Sequence, residues 1–294
     1  MRPLAKLLPT PNVPFVFFHQ RKCGGSTLRQ LTSQGARAHH LPAFIPCLNA
    51  PCVPFAEVPI SQRHKAVYAS HFNWVHITNM MYFKSNGNHD WDHPTHTPYP
   101  CMVNIREPIS RVQSCWSYRM TSELSADPSE FSSQLRDGRS GYNEGCNNEP
   151  LRTMWSGGTD ENQVNALTVD SRTALDALSD TLTHVSRCLI VDLSRCAESR
   201  RLARAYLPWM NFSCHVHANA QHRHWNLTDA RLLAIVREQN ALEIMVYDYA
   251  TKLFNAQMDT FVGRTSSPTQ RPTSSSPPHI PPTDQSPSSK ISPE

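Results

Sequence analysis

The sequence predicts an α/β domain of three layers, with a central, mainly parallel sheet flanked by helices. Two observations carry this expectation. Short apolar, β-favouring runs at Phe15–Phe18, Cys101–Ile105 and Cys188–Leu193 are each followed by a turn and a helical pattern. Strands that alternate with helices in this way build parallel sheets. The chain also has the means, since 294 residues with 39% hydrophobic content can bury one substantial core.

The first strand, Phe15–Phe18, runs into a basic, glycine-containing turn that becomes a helix start. Backbone N–H groups at a helix start, with a lysine beside them, make a ready phosphate site. The order is not that of a Walker A loop, which needs Gly-x-x-x-x-Gly-Lys-Ser/Thr. Here Lys22 precedes Gly24 and Gly25, and Ser26 and Thr27 follow them.

A second strand–turn–helix unit begins at Cys101. Arg106 closes the strand, and Pro108 stands in the first helical turn, where proline is well tolerated. Ile109, Val112 and Trp116 recur at helical spacing and face the core, while Ser114 rides on the same helix. Arginine suits a phosphate because its planar fork donates two parallel hydrogen bonds.

Between the two units, residues 65–74 read as a short strand ending at His71, with Phe72 and Trp74 beside it. A histidine titrates near working pH and can take a proton in a transition state. The chain has 15 histidines, so position singles out His71, with His76 next in line. In the C-terminal half, Leu175, Leu178, Leu182 and Val185 mark one face of a helix, followed by the strand from Cys188 and a basic helix over 198–206. A long amphipathic helix then opens after Leu227, with Thr228 or Asp229 as N-cap. Its stripe is Leu232, Leu233, Val236, Leu242, Met245, Tyr249 and Leu253. Residues 84–100 read as a polar loop, and 121–160 as irregular chain over an acceptor cleft. Beyond Val262 serine, proline and threonine dominate, so residues 263–294 form a tail that cannot build a core. The expected organisation is a short N-terminal segment (1–12), a domain over 13–262, and the tail.

These motifs resemble the carbohydrate sulfotransferases that use 3′-phosphoadenosine 5′-phosphosulfate (PAPS), most of all the heparan sulfate and uronyl 2-O- and 6-O-sulfotransferases. Their 5′-phosphosulfate loop typically reads Lys-Thr-Gly-Gly-Thr-Ser/Thr, and Lys22 to Thr27 follow it with Cys23 in the threonine place. Their 3′-phosphate element, Arg-(Asp/Glu/Asn)-Pro-x-x-Arg-x-x-Ser, matches at Arg106, Pro108, Arg111 and Ser114. His71 matches the histidine that takes the acceptor proton, with Ser70 where a glycine is common. The segment 161–168 resembles Asn-x-Gln-x-x-x-Leu, and 240–250 resembles the family's last helix, with Glu243 in place of aspartate. The likeness spans roughly residues 13–258.

The resemblance implies a P-loop-like fold and transfer of a sulfuryl group from PAPS to a hydroxyl of a carbohydrate acceptor, a glycosaminoglycan or similar polysaccharide. His71 would be the base and Lys22 would offset charge on the leaving phosphate. Arg21, Lys22, Cys23, Gly24, Gly25, Ser26 and Thr27 would hold the 5′-phosphate, and Arg106 and Ser114 the 3′-phosphate. No metal and no nucleic acid are expected. The resemblance places the chain in the Golgi lumen, with a membrane tie expected only through an N-terminal anchor that is not visible in this sequence. Its first residues are too short and too interrupted for a signal peptide, and no apolar run reaches about 18 residues.

The net charge of +4 suits an anionic donor and an anionic polymer. Nine cysteines leave at least one thiol free, with connectivity open. His39, His40, Cys47 and Cys52, and likewise Cys214 with the histidines after it, lack the paired spacing of a zinc module. Asn211 and Asn226 head glycosylation sequons. Two rival readings stay open. One is a P-loop nucleotide kinase, against which stand the position of Lys22 and the lack of a clear Walker B aspartate at a strand end. The other is a non-catalytic glycan- or nucleotide-binding relative.

Overall fold

Phe15–Phe18 (β1) is buried at every residue, as a strand covered on both faces must be. A computed structural model describes residues 8–48, 63–75, 99–122, 146–157, 171–214 and 228–261, with 50, 52, 57, 59 and 77 singly. All of them lie within the compact unit formed by residues 1–263. The segments 84–98 and 161–168, His76, Asn226 and the tail 263–294 lie outside the described residues.

Beside β1 on one side runs Val67–Ser70 (β3), and beyond it the two-residue strand Ala43–Phe44 (β2). On the other side run Cys101–Ile105 (β4) and then Leu189–Asp192 (β5). The order β2-β3-β1-β4-β5 is parallel throughout, so the α/β expectation holds and the sheet is wholly parallel. β3 and β4, consecutive in the chain, lie on opposite sides of β1. β1 leads to β2 at one edge and β4 leads to β5 at the other, so the strand order reverses between β1 and β4, and open α/β sheets take their ligands at the carboxyl ends beside such a point.

Helices Gly25–Ala38 (α1), Pro108–Ser122 (α2), Glu149–Met154 (α3), Arg172–Val185 (α4), Cys196–Tyr206 (α5), Ala230–Gln239 (α6) and Ala241–Phe261 (α7) flank the sheet. Pro108 opens α2, and Glu107 caps it through hydrogen bonds from Ile109 N (3.0 Å) and Ser110 N (2.7 Å). At the outer edge, Gln257 of α7 takes the place of a further strand. It accepts from Ile190 N at 3.0 Å and donates to Cys188 O at 2.8 Å. Four disulfides cross-link the unit: Cys47–Cys52, Cys101–Cys188 between β4 and β5, Cys115–Cys146, and Cys196–Cys214. Cys23 is the free thiol.

Four expectations need correction. The region 121–160 is not irregular throughout, since α3 lies within it and is buried along its whole length, so this part is core rather than cleft cover. The long C-terminal helix is two helices broken at Asn240. That side chain is fully buried and bonds to Asn147, to Val236 O and, as acceptor, to Asn148 N, which fixes a non-helical backbone there. Met245 and Leu175, read as apolar-face residues, stand 45% and 53% exposed. An aspartate does end a strand: Asp192 closes β5. It lies on the edge strand and its Oδ1 accepts from Ser194 N (2.8 Å) and Oγ (2.7 Å), capping the turn that leads into α5.

Candidate functional site

The loop after β1 is shaped by two residues of positive φ, Lys22 (62°) and Gly24 (76°). A left-handed lysine is uncommon and costs backbone energy, which surrounding contacts must repay. Asn104, buried in β4, repays it. Its Oδ1 accepts from Gln20 N at 2.9 Å, and its amide donates to Gln20 O at 3.3 Å and Cys23 O at 3.0 Å. Arg21 N donates to Glu149 Oε1 at 2.9 Å, so α3 pins the loop from below. Arg106 Nη1 donates to Lys22 O at 3.1 Å. The loop is thus held from β4, from the turn after it, and from α3.

Gly24 is the N-cap of α1 and offers no side chain, and the first turn of α1 carries no acidic residue. The first N–H groups of α1 lie at the positive end of the helix, where no acidic side chain of its own first turn offsets the dipole. The contrast is with α2, whose start is closed by Glu107, whereas α1 has no acidic residue at its positive end. Gly25 is required by a close approach, because a Cβ there would lie inside the His19 ring.

Charge supports the same conclusion. Desolvation lowers the pKa of Lys22, and the neighbouring Arg106 lowers it further. Two cations held together in a partly desolvated loop are relieved by an anion. The Lys22 ammonium rests 4.3 Å from the centroid of the Tyr118 ring on α2. Ser114, one turn earlier, shares that face of α2 and is half-buried.

His71 follows β3 as expected. Its Nδ1 lies 2.9 Å from His19 O. A carbonyl can only accept, so Nδ1 carries the hydrogen and Nε2 presents a bare lone pair. The ring has an exposed face, yet protein surrounds it closely enough that desolvation, followed by the charge of Arg21, pushes its pKa down to about 4. Just beyond it, Trp74 stacks on His184 (3.9 Å between centroids) and on Phe18 (5.2 Å), which anchors the chain after His71 to the core.

The structure brings Lys22 and Arg106 into contact and sets His71 and the start of α1 on the same carboxyl edge. Two motif residues play other parts. Cys23 is buried, with its thiol on Arg21 O at 3.6 Å and its N–H turned to Gln20 O at 3.4 Å, and burial pushes the thiol pKa far up. It fills the loop and does not face a ligand. Arg111 is wholly buried and forks onto Glu243, with Nη2 to Oε2 at 2.7 Å, and also donates to Cys146 O. Glu243 accepts in turn from Glu149 N at 3.1 Å. Arg111 therefore ties α2, α3 and α7 together beneath the loop.

Sequence reasoning missed Asn104, His19, Glu149 and Tyr118. Asn104 had a signal, a lone amide inside an apolar strand. Glu149 had none, since it meets the loop from 128 residues away.

No family model matches the chain, and no curated protein matches it.

Proposed function

We propose that the chain transfers a sulfuryl group from PAPS to a hydroxyl of a carbohydrate acceptor. One observation carries the reading: the strands on either side of β1 are followed at once by a histidine, His71, and an arginine, Arg106, around one cationic loop. A Walker-type nucleotide kinase needs a strand-end aspartate for Mg²⁺. Asp192, the strand-end aspartate among the described residues, lies on the edge strand and caps a turn.

In this account the first N–H groups of α1, with Ser26 and Thr27, hold the donor's 5′-phosphate. Arg106 and Ser114 hold the 3′-phosphate. His71 Nε2 takes the proton of the acceptor hydroxyl as its oxygen bonds to sulfur and the bond from sulfur to the bridging oxygen breaks. Lys22 offsets the charge that then grows on the departing phosphate, and adenosine 3′,5′-bisphosphate (PAP) leaves. The bare lone pair on Nε2 and the depressed pKa of His71 leave the base unprotonated at neutral pH.

The four disulfides suit an oxidising compartment, and Asn211 is exposed, as a glycan acceptor must be. Both support a Golgi lumenal setting as part of the proposal. No described helix is long and apolar enough to cross a membrane.

The test is the ligand that raises the melting temperature. PAP with EDTA is expected to do so. A rise with ATP and Mg²⁺ alone would replace the reading with a nucleotide kinase, and no rise with either would leave a binding module for other ligands.

A further inference from the structure

The mechanism above gives no part to His19, although it is a buried titratable ring in contact with His71. It is 4% exposed, and its Nδ1 is buried with no hydrogen-bond partner. A buried polar atom without a partner is destabilising, so an apolar ring would suit this place better if packing were the ring's whole task. The ring is closely packed. The backbone of Gly25 approaches it so nearly that a Cβ there would overlap it, and the His71 ring stacks on it at 3.8 Å between centroids with 27° between planes. Phe17 lies behind it in parallel, 5.9 Å away and 12° from coplanar.

We infer that His19 is a positioning residue for His71, its carbonyl setting the tautomer of the base and its ring setting the plane. This rests on the reading of His71 as the base. The carbonyl acts by accepting Nδ1–H at 2.9 Å, which leaves Nε2 without hydrogen. The ring acts by filling the slot between Gly25 and His71, so the imidazole of His71 cannot rotate about its own bonds without losing the stack. Gly25 is therefore shared by two tasks: it opens α1 toward an anion and gives His19 its seat. His19 stays neutral in this place, because burial holds its pKa well below the usual histidine range, with His71, Arg29, Arg21 and Lys22 adding in the same direction.

Two variants and one spectrum test it. His19→Ala empties the slot, and His19→Phe keeps a planar ring there. Sulfation by His19→Ala should fall about ten- to hundredfold in kcat, the loss that follows when a reacting group drifts by about 1 Å. KM for PAPS and the PAP-induced melting shift should stay within about twofold. His19→Phe should recover most of the loss. Long-range ¹⁵N–¹H spectra of the side chain, assigned with His71→Ala, should show His71 wholly in the Nδ1–H form in the parent and as a tautomer mixture in His19→Ala, where the residue-19 carbonyl remains but the unstacked imidazole turns out of the plane in which Nδ1 reaches it. The spectra need no sulfation, so they decide the inference even if the parent transfers nothing, an outcome that would count against the proposed function alone. An unchanged kcat, or a His71 tautomer that is Nε2–H in the parent or unaltered in His19→Ala, overturns the inference. Should His19→Ala fail to fold, the parent tautomer and the kcat of His19→Phe carry the decision.

Discussion

Arg106 and Lys22 are joined directly: the guanidinium that follows β4 donates a hydrogen bond at 3.1 Å to the carbonyl of the left-handed lysine that follows β1. Arg106 thus braces the loop while belonging to the element proposed for the 3′-phosphate. Its removal should act twice, through loop geometry and through lost charge.

Arg106→Ala should weaken PAP by about 2 kcal/mol or more, the worth of a charge-assisted contact. Lys22→Ala should lower turnover more than donor affinity, because its proposed partner charge grows only as the phosphate departs. Calorimetry with PAP alongside steady-state kinetics separates the two. Equal PAP affinity in Arg106→Ala and the parent would remove Arg106 from the donor site.

Arg111 carries a contrasting prediction, since it stands in the same sequence motif and yet is wholly buried against Glu243. Losing one member of a buried pair leaves the other uncompensated, at a cost of about 3–5 kcal/mol. Arg111→Ala should lose stability by that amount in urea unfolding, while whatever fraction folds binds PAP. A variant of parental stability that has lost PAP binding would move Arg111 from the core to the donor site.

Acid should weaken the protein through its desolvated histidines. Burial lowers the pKa of His19, His71 and His184 in the folded state. The unfolded chain then takes up protons that the folded chain refuses, so their contribution is fully present above about pH 6.5 and fades below it. For His71 the loss runs down to its folded pKa of about 4. Urea midpoints should fall from pH 7 toward pH 4.5, and His19→Phe should flatten that slope. The acid limb of the rate profile should likewise lie below pH 6.5. A flat midpoint across this window would contradict the protonation account.

The strand–turn–helix units were legible because each rests on a local pattern: an apolar run, a turn, helical spacing. The loop's sequence likewise announced a helix start at Gly24. What was not legible depends on contacts between distant parts of the chain. β2 is two residues long and exists through pairing with β3. α3 is short, and its buried Glu149 acquires meaning only where Arg21 N meets it. Helical spacing ran unbroken through Asn240, and the break follows from its bonds to Asn147 and Asn148 in a segment about 90 residues earlier. Arg111 matched a donor-site pattern by position, while burial and Glu243 give it a structural part.

The most direct test is transfer of label from radiolabelled PAPS, in EDTA, to a panel of desulfated glycosaminoglycans by the parent and by His71→Ala. The account predicts that the parent labels at least one polymer. His71→Ala should do so about 10²- to 10⁴-fold more slowly, the usual contribution of a general base, with an unchanged PAP-induced melting shift. A parent that binds no PAP and labels no acceptor, or a His71→Ala variant that transfers at near-parental rate, would contradict it.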